Sequence, residues 1–154
     1  MAAGASTAAA THQRSPGTKE SVDIPSSEGL ITLRRYRGDT YLQAWTEVSD
    51  PRLEGTYTRS WDQDEYFRGP AFLSIVVTTD RIENDEGAWQ GTSVWYRPAA
   101  ESEQSFAPAV LVGEGAYEGL TAILSGVGSY EECAVTGYII DGSIPAPPVP
   151  PSDQ

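Results

Sequence analysis

The chain has 154 residues, 22 of them acidic and 10 basic, for a net charge of −12. That length suits one domain with a sizeable core, and a surface this acidic repels phosphate backbones, so nucleic acid and anionic membranes are not expected as partners. Nothing approaches the roughly 18 uninterrupted apolar residues of a membrane helix, and Ala2–Ala10 lacks the basic and Leu-rich regions of a signal peptide, which leaves a cytoplasmic protein or an exported one already processed.

Both ends read as tails. Residues 1–28 hold many Ala, Ser and Thr with almost no apolar periodicity, and five of the ten residues in 145–154 are proline. Neither stretch can bury enough apolar surface to offset the entropy of ordering it. The expected organisation is a disordered leader over 1–28, a β domain over 29–144 and a Pro-rich tail over 145–154.

Strand patterns fill the domain. Leu30–Arg37 is a short strand candidate ending at Gly38-Asp39, and Thr40–Val48 alternates, with Tyr41, Gln43, Trp45 and Glu47 on one face. Asp50-Pro51 marks a turn. Glu54–Trp61 alternates again, placing Tyr57, Arg59 and Trp61 together, and Asp62–Pro70 reads as strand end plus loop. Ala71–Thr79 is rich in branched residues, as a strand buried on both faces would be. Asn84–Gly87 is a hairpin turn, followed by a strand over Trp89–Tyr96 and a polar loop over Arg97–Ser105. Phe106–Val112, Tyr117–Val127 and Cys133–Ile144 complete eight strands.

Two stretches echo each other, Glu86–Thr92 and Glu114–Leu120, each acidic, Gly, Ala, aromatic, amide or acid, Gly. The echo suggests one hairpin design used twice, with Gly87 and Gly115 supplying positive φ at the turns. Its recurring side chains, Glu86 with Glu114 and Gln90 with Glu118, also have the composition of a two-carboxylate site. Even strand spacing favours an all-β, eight-stranded antiparallel barrel, which leaves no exposed edge. In-strand glycines (Gly91, Gly119, Gly137) favour the barrel over the competing two-sheet sandwich, because strongly coiled strands place Gly at bends.

The residue inventory excludes several chemistries. His12, in the leader, is the only histidine, so a Ser-His-Asp triad and a His-ligated metal site cannot form within the domain. Cys133 is the only cysteine, its thiol disfavoured as a nucleophile by Glu131 and Glu132, and Lys19 is the only lysine. No phosphate-binding glycine loop is present. No metal and no cofactor is therefore expected. Carboxylates, tyrosines, arginine and a shaped apolar cavity remain.

If the alternating faces point inward, Trp45, Glu47, Tyr57, Arg59 and Trp61 line a pocket with one acid and one base. Glu47 is then a general base raised by burial, or is held ionised by Arg59. Trp89, Trp95, Tyr117 and Tyr138 add ring surface from later strands. The plainer alternative is that these rings simply pack the core. Asp62, Asp64 and Glu65 cluster near the rim, where a calcium site competes with a solvated acidic loop.

Gly113-x-Gly-x-Tyr-Glu-Gly-Leu120, Gly87-x-Trp-x-Gly91 and Gly137-x-Ile139-x-x-Gly142 resemble a group of small bacterial β-barrel proteins similar in motif layout to the allene oxide cyclase and dirigent-like barrels. The resemblance covers Tyr41–Ile144 and implies a calycin-like barrel with a hydrophobic cavity. In active relatives such cavities steer a reactive intermediate into one product by shape. The expected function is therefore binding of a small apolar molecule, either as a cofactor-free cyclase or isomerase using Glu47, Arg59 or Tyr117 for protons, or as a non-catalytic carrier or self-associating barrel.

Overall fold

The computed structural model describes residues 2–5, 13–46, 48–97, 104–106, 109–128 and 133–144. Their architecture is all-β, with a single 3-10 turn at Pro51–Leu53. The strands are β1 (Ala2–Ala5), β2 (Gln13–Ser15), β3 (Thr18–Ser26), β4 (Gly29–Trp45), β5 (Gly55–Arg68) and β6 (Ala71–Glu83), then β7 (Gly87–Arg97), β8 (Gln104–Phe106), β9 (Ala109–Gly115), β10 (Leu120–Gly128) and β11 (Cys133–Asp141).

All of them belong to one antiparallel sheet, which sets the sandwich aside. From β4 to β11 the chain meanders through adjacent lanes of the sheet. β8 and β9 occupy successive parts of one lane between β7 and β10, and β2 and β3 do the same alongside β4. β1 alone breaks the order by adding to β11 at the far side.

The sheet is open in its hydrogen bonding: no ladder among the described residues joins β1 or β11 to β2, β3 or β4. A closed eight-stranded barrel is therefore not what the pairing describes. Curvature is nonetheless required. Ala5 pairs with Val135 and Gln13 with Leu42, and the eight residue steps between Ala5 and Gln13 reach about 29 Å at most. The outer lanes of a flat sheet with nine lanes would lie about 38 Å apart. Both ends of the sheet also feed one core, in which Trp45 of β4 clusters with Leu124 of β10 and Val135 of β11.

Several local expectations change. Gly38-Asp39 does not end a strand: β4 runs through it as a bulge, with the register shifting between Tyr36 and Asp39 and Gly38 at φ 71°. The two expected strands thus become one. β5 likewise continues through the acidic stretch to Arg68, because Asp62 and Asp64 have outward partners on β4: Asp62 accepts from the Gly38 N–H at 2.9 Å and Asp64 pairs with Arg37. β6 is buried on one face only, with Ser74, Val76, Thr78, Asp80 and Ile82 inside and Val77 exposed.

The stretch read as a leader carries β2 and β3, paired to β4 through backbone hydrogen bonds. Every residue of both strands is exposed, so composition correctly found no apolar face there, while the ladder itself needs none. The tail over 145–154 lies outside the described residues.

Gly91 and Gly137 sit where neighbouring strands approach too closely for a side chain. A Cβ at Gly91 would lie 2.0 Å from the Val110 carbonyl oxygen and 2.9 Å from Leu111 Cδ2. The carbonyl is backbone, so it can yield only by disturbing the β7–β9 ladder. Gly91→Ala is expected to destabilise the fold by about 1–3 kcal/mol, read from urea unfolding.

Candidate functional site

Cross-strand register builds the site. Tyr41 of β4 lies opposite Arg59 of β5, Arg59 opposite Asp80 of β6, and Asp80 opposite Gly91 of β7. The next row inward along β6 places Trp61, Thr78 and Ser93 side by side. Directly opposed residues share a face, so both rows point into the concave side of the sheet.

Asp80 is the centre of this arrangement. Its Oδ1 accepts from the Tyr57 hydroxyl at 2.6 Å and from Arg59 Nε at 2.6 Å. Its Oδ2 contacts the Thr78 hydroxyl at 2.6 Å and the Ser93 hydroxyl at 2.9 Å, and these two hydroxyls lie 2.6 Å from each other. Trp95 Nε1 donates to Ser93 Oγ at 3.0 Å. The side chains of Arg59 and Asp80 keep 15% and 2% of their exposure, so the ion pair is largely out of water. Such a pair is held by geometry and extra hydrogen bonds, because its Coulomb attraction is set against the desolvation of both charges. Burial pushes the Tyr57 phenol well above its ordinary range, with the Arg59 charge pulling the other way. The phenol therefore stays protonated and acts as a donor.

Arg59 faces outward from this anchor. Its guanidinium carbon lies 4.3 Å from the Trp95 ring centroid and 5.3 Å from that of Tyr57. Only Nε is bonded: its two Nη groups make no hydrogen bond among the described residues.

The apolar interior divides around the network. A small cluster of Trp61, Val76 and Trp95 lies on one side, and a larger one including Trp45, Leu53, Ile82, Trp89, Leu111 and Tyr117 on the other. Tyr41 packs against both and donates to Gln43 Oε1 at 3.0 Å. The larger cluster is filled, with Trp89 at 0% exposure. Trp45 Nε1 is buried in it without a hydrogen-bond partner.

The residues selected from sequence separate into groups. Arg59, Trp61 and Trp95 come together at the network, with Tyr57 behind them. Trp45 packs against Tyr57 in a tilted pair, centroids 4.8 Å apart, and belongs to the larger cluster. Trp89 and Tyr117 stack at 5.0 Å, Trp89 Nε1 donating to the Arg52 carbonyl and the Tyr117 hydroxyl to Asn84 Oδ1. Tyr117 thus ties down the Asn84–Gly87 turn and does not reach Asp80 among the contacts described. Tyr138 does not line the interior: it is 56% exposed, because Val135, Gly137 and Ile139 hold the inner parity of β11. Glu47 and the side chain of Cys133 lie outside the described residues.

The acidic trio divides between the two faces. Asp62 and Asp64 point outward, while Glu65 is buried and accepts from Gln63 Nε2 at 3.0 Å and the Tyr36 hydroxyl at 3.2 Å. Among the described residues no three His, Cys, Asp or Glu side chains converge. The echoed stretches also differ in form: Gly87–Thr92 is strand, whereas residues 116–119 are turn. They lie against each other, Gly87 opposite Gly115, and only Gly115 of the two has positive φ. Glu114 is taken up by Arg81 at 2.9 Å and Glu86 by Tyr117 at 3.3 Å, so the two carboxylates serve separate partners.

Asp80, Thr78 and Ser93 were not selected from sequence. A signal existed: Asp80 has the same strand parity as Val76 and Ile82, an acid on the buried face of the most β-rich run. No family model, no curated protein and no solved structure matches the chain.

Proposed function

We propose that this is a small-molecule-binding β domain, a curled sheet of the allene oxide cyclase and dirigent-like kind, whose inner face takes a compact and largely apolar ligand. The ligand packs against Trp61, Trp95 and Tyr41, and Arg59 orients its polar end. The observation that carries this reading is Arg59 itself: Asp80 grips Nε, the guanidinium carbon lies over the Trp95 ring, and neither Nη group is bonded among the described residues, which leaves both for an oxygen of the ligand. A few fixed polar groups among aromatic walls are the usual makings of such a site.

The chemistry favours binding over turnover. A carboxylate offers about four acceptor sites, and four donor-bearing groups already surround Asp80. The neutral Tyr57 phenol is a poor base. Cyclisation by restraint of a flexible substrate requires neither group to move a proton, and it uses the same contacts. A purely structural network is the second reading, favoured by how completely Asp80 is satisfied.

Native mass spectrometry of the protein after incubation with a metabolite extract tests the proposal. The expected result is a retained small molecule that is lost in Arg59→Ala and Tyr41→Leu, with folding checked by thermal melting. An unliganded wild-type protein throughout would leave the structural reading in possession.

A further inference from the structure

Cations on the inner face at the β3–β7 end all lie over aromatic rings. Beyond Arg59 on Trp95, Arg14 lies 5.4 Å from the Trp61 centroid, Lys19 5.2 Å from Tyr36, Arg34 4.4 Å from Phe67 and Arg97 5.1 Å from Phe72. Register confirms the shared face. Lys19 opposes Tyr36, which opposes Gln63; Arg34 opposes Glu65, which opposes Ser74, which opposes Arg97. Half of the chain's ten basic residues are thus gathered here. Against these five stand four acids, Asp23, Asp39, Glu65 and Asp80, each already bonded, so this end carries about +1 within a chain of net charge −12.

Three of these cations are less engaged than Arg14 and Arg59, each of which is paired with an Asp. Lys19 and Arg34 make no ion pair among the described residues, and Arg97 reaches Glu65 only at 3.5 Å while its Nε is buried without a partner. Lys19 and Arg34 are diagonal neighbours on β3 and β4, about 7 Å apart at Cβ, so their side chains can converge on one anionic group. Phe67 and Phe72, 5.1 Å apart, lie next to that point.

We propose that this end of the inner face, six residues along β5 from Arg59, is a second ligand position that takes a planar aromatic or conjugated carboxylate. Its ring system lies along Phe67 and Phe72 with the guanidinium of Arg34, and its carboxylate is held by Lys19 and Arg34. Guanidinium suits this role because it pairs with carboxylate through N–H groups and stacks through its face. The inference rests on the reading of the inner face as a ligand surface and adds a second position to it.

The test uses 2-naphthoate, its neutral counterpart 2-naphthalenemethanol, and octanoate as a flexible aliphatic acid. Each is titrated into the full chain by tryptophan fluorescence and calorimetry at low and high salt. The expected result is that 2-naphthoate binds about tenfold tighter than either control and weakens as salt rises. The double variant Lys19→Ala/Arg34→Ala should lose about tenfold for 2-naphthoate and clearly less for the alcohol, which forfeits only the stacking face of Arg34. Both side chains are exposed, so the variant keeps its fold.

Equal binding of the alcohol or octanoate, or a double variant that keeps 2-naphthoate, overturns the carboxylate inference and leaves the ligand-site reading standing. No binding of any probe, with a metabolite still captured through Arg59, has the same consequence. Failure of both experiments overturns both. Interleaved cations and rings also suit single-stranded nucleic acid, so displacement of 2-naphthoate by an oligo-dT strand likewise counts against the small carboxylate.

Discussion

Asp80→Ala is expected to lower folding stability by about 3–5 kcal/mol, because it leaves the Arg59 charge buried without its partner. The Tyr57, Thr78 and Ser93 hydroxyls lose an acceptor in the same step. Urea unfolding measures the effect. Asp80→Asn keeps the shape and one carbonyl acceptor and should cost about 1–3 kcal/mol. The double variant Arg59→Met/Asp80→Leu should recover much of the loss, since apolar residues of similar volume often replace a buried ion pair at little net cost. An Asp80→Ala protein within about 1 kcal/mol of wild type would mean that water reaches the network and screens it.

Trp89→Ala is expected to cost about 3–5 kcal/mol. Trp89 has 0% exposure, stacks on Tyr117 with an interplanar angle of 12°, and donates to the Arg52 carbonyl at 2.8 Å. Truncation leaves a ring-sized void at the junction of the 3-10 turn, the β6–β7 hairpin and the β9–β10 turn. Trp89→Phe retains most of the packing and should lose far less. Hydrogen exchange supplies an independent readout: the Ala116 N–H, bonded to the Glu86 carbonyl at 3.1 Å, should exchange faster in Trp89→Ala because the two echoed stretches no longer lock together. Unchanged protection there would show that the backbone pairing of Gly87 with Gly115 holds the turn without the stacked rings.

Under the proposed reading, the partition of the aromatic residues would separate binding from stability. Trp89 and Tyr117 stand in the two glycine-framed stretches, and their polar atoms are spent on Arg52 and Asn84. Trp61 and Trp95 lie in the smaller cluster beside Arg59, whose guanidinium carbon is 4.3 Å from the Trp95 ring centroid. Substitutions at the first pair should act on unfolding, and those at the second pair on ligand capture.

Sequence alone determined that the chain is all-β, where most strands lie, and that Tyr41 with Trp45, Tyr57 with Arg59 and Trp61, and Trp89 with Trp95 share faces. A strand's two-residue alternation is local, so a short window reveals it. Gly38-Asp39 shows the limit of such windows: a positive-φ glycine serves a turn or a bulge equally well, and only the Asp62 carboxylate on the neighbouring strand favours the bulge. Glu65 appeared with Asp62 and Asp64 as one acidic loop, although strand continuation buries it and leaves the other two outside.

Tertiary structure alone decided lateral pairing, and with it the site. Arg59 and Asp80 are 21 residues apart, and Ser93 is a further 13 away. Their meeting depends on the register of the β5–β6 and β6–β7 ladders, because a slip of one residue would send each side chain to the opposite face. Backbone pairing with β4 likewise placed β2 and β3 on the sheet with no buried side chain of their own, since ladder hydrogen bonds require no apolar face.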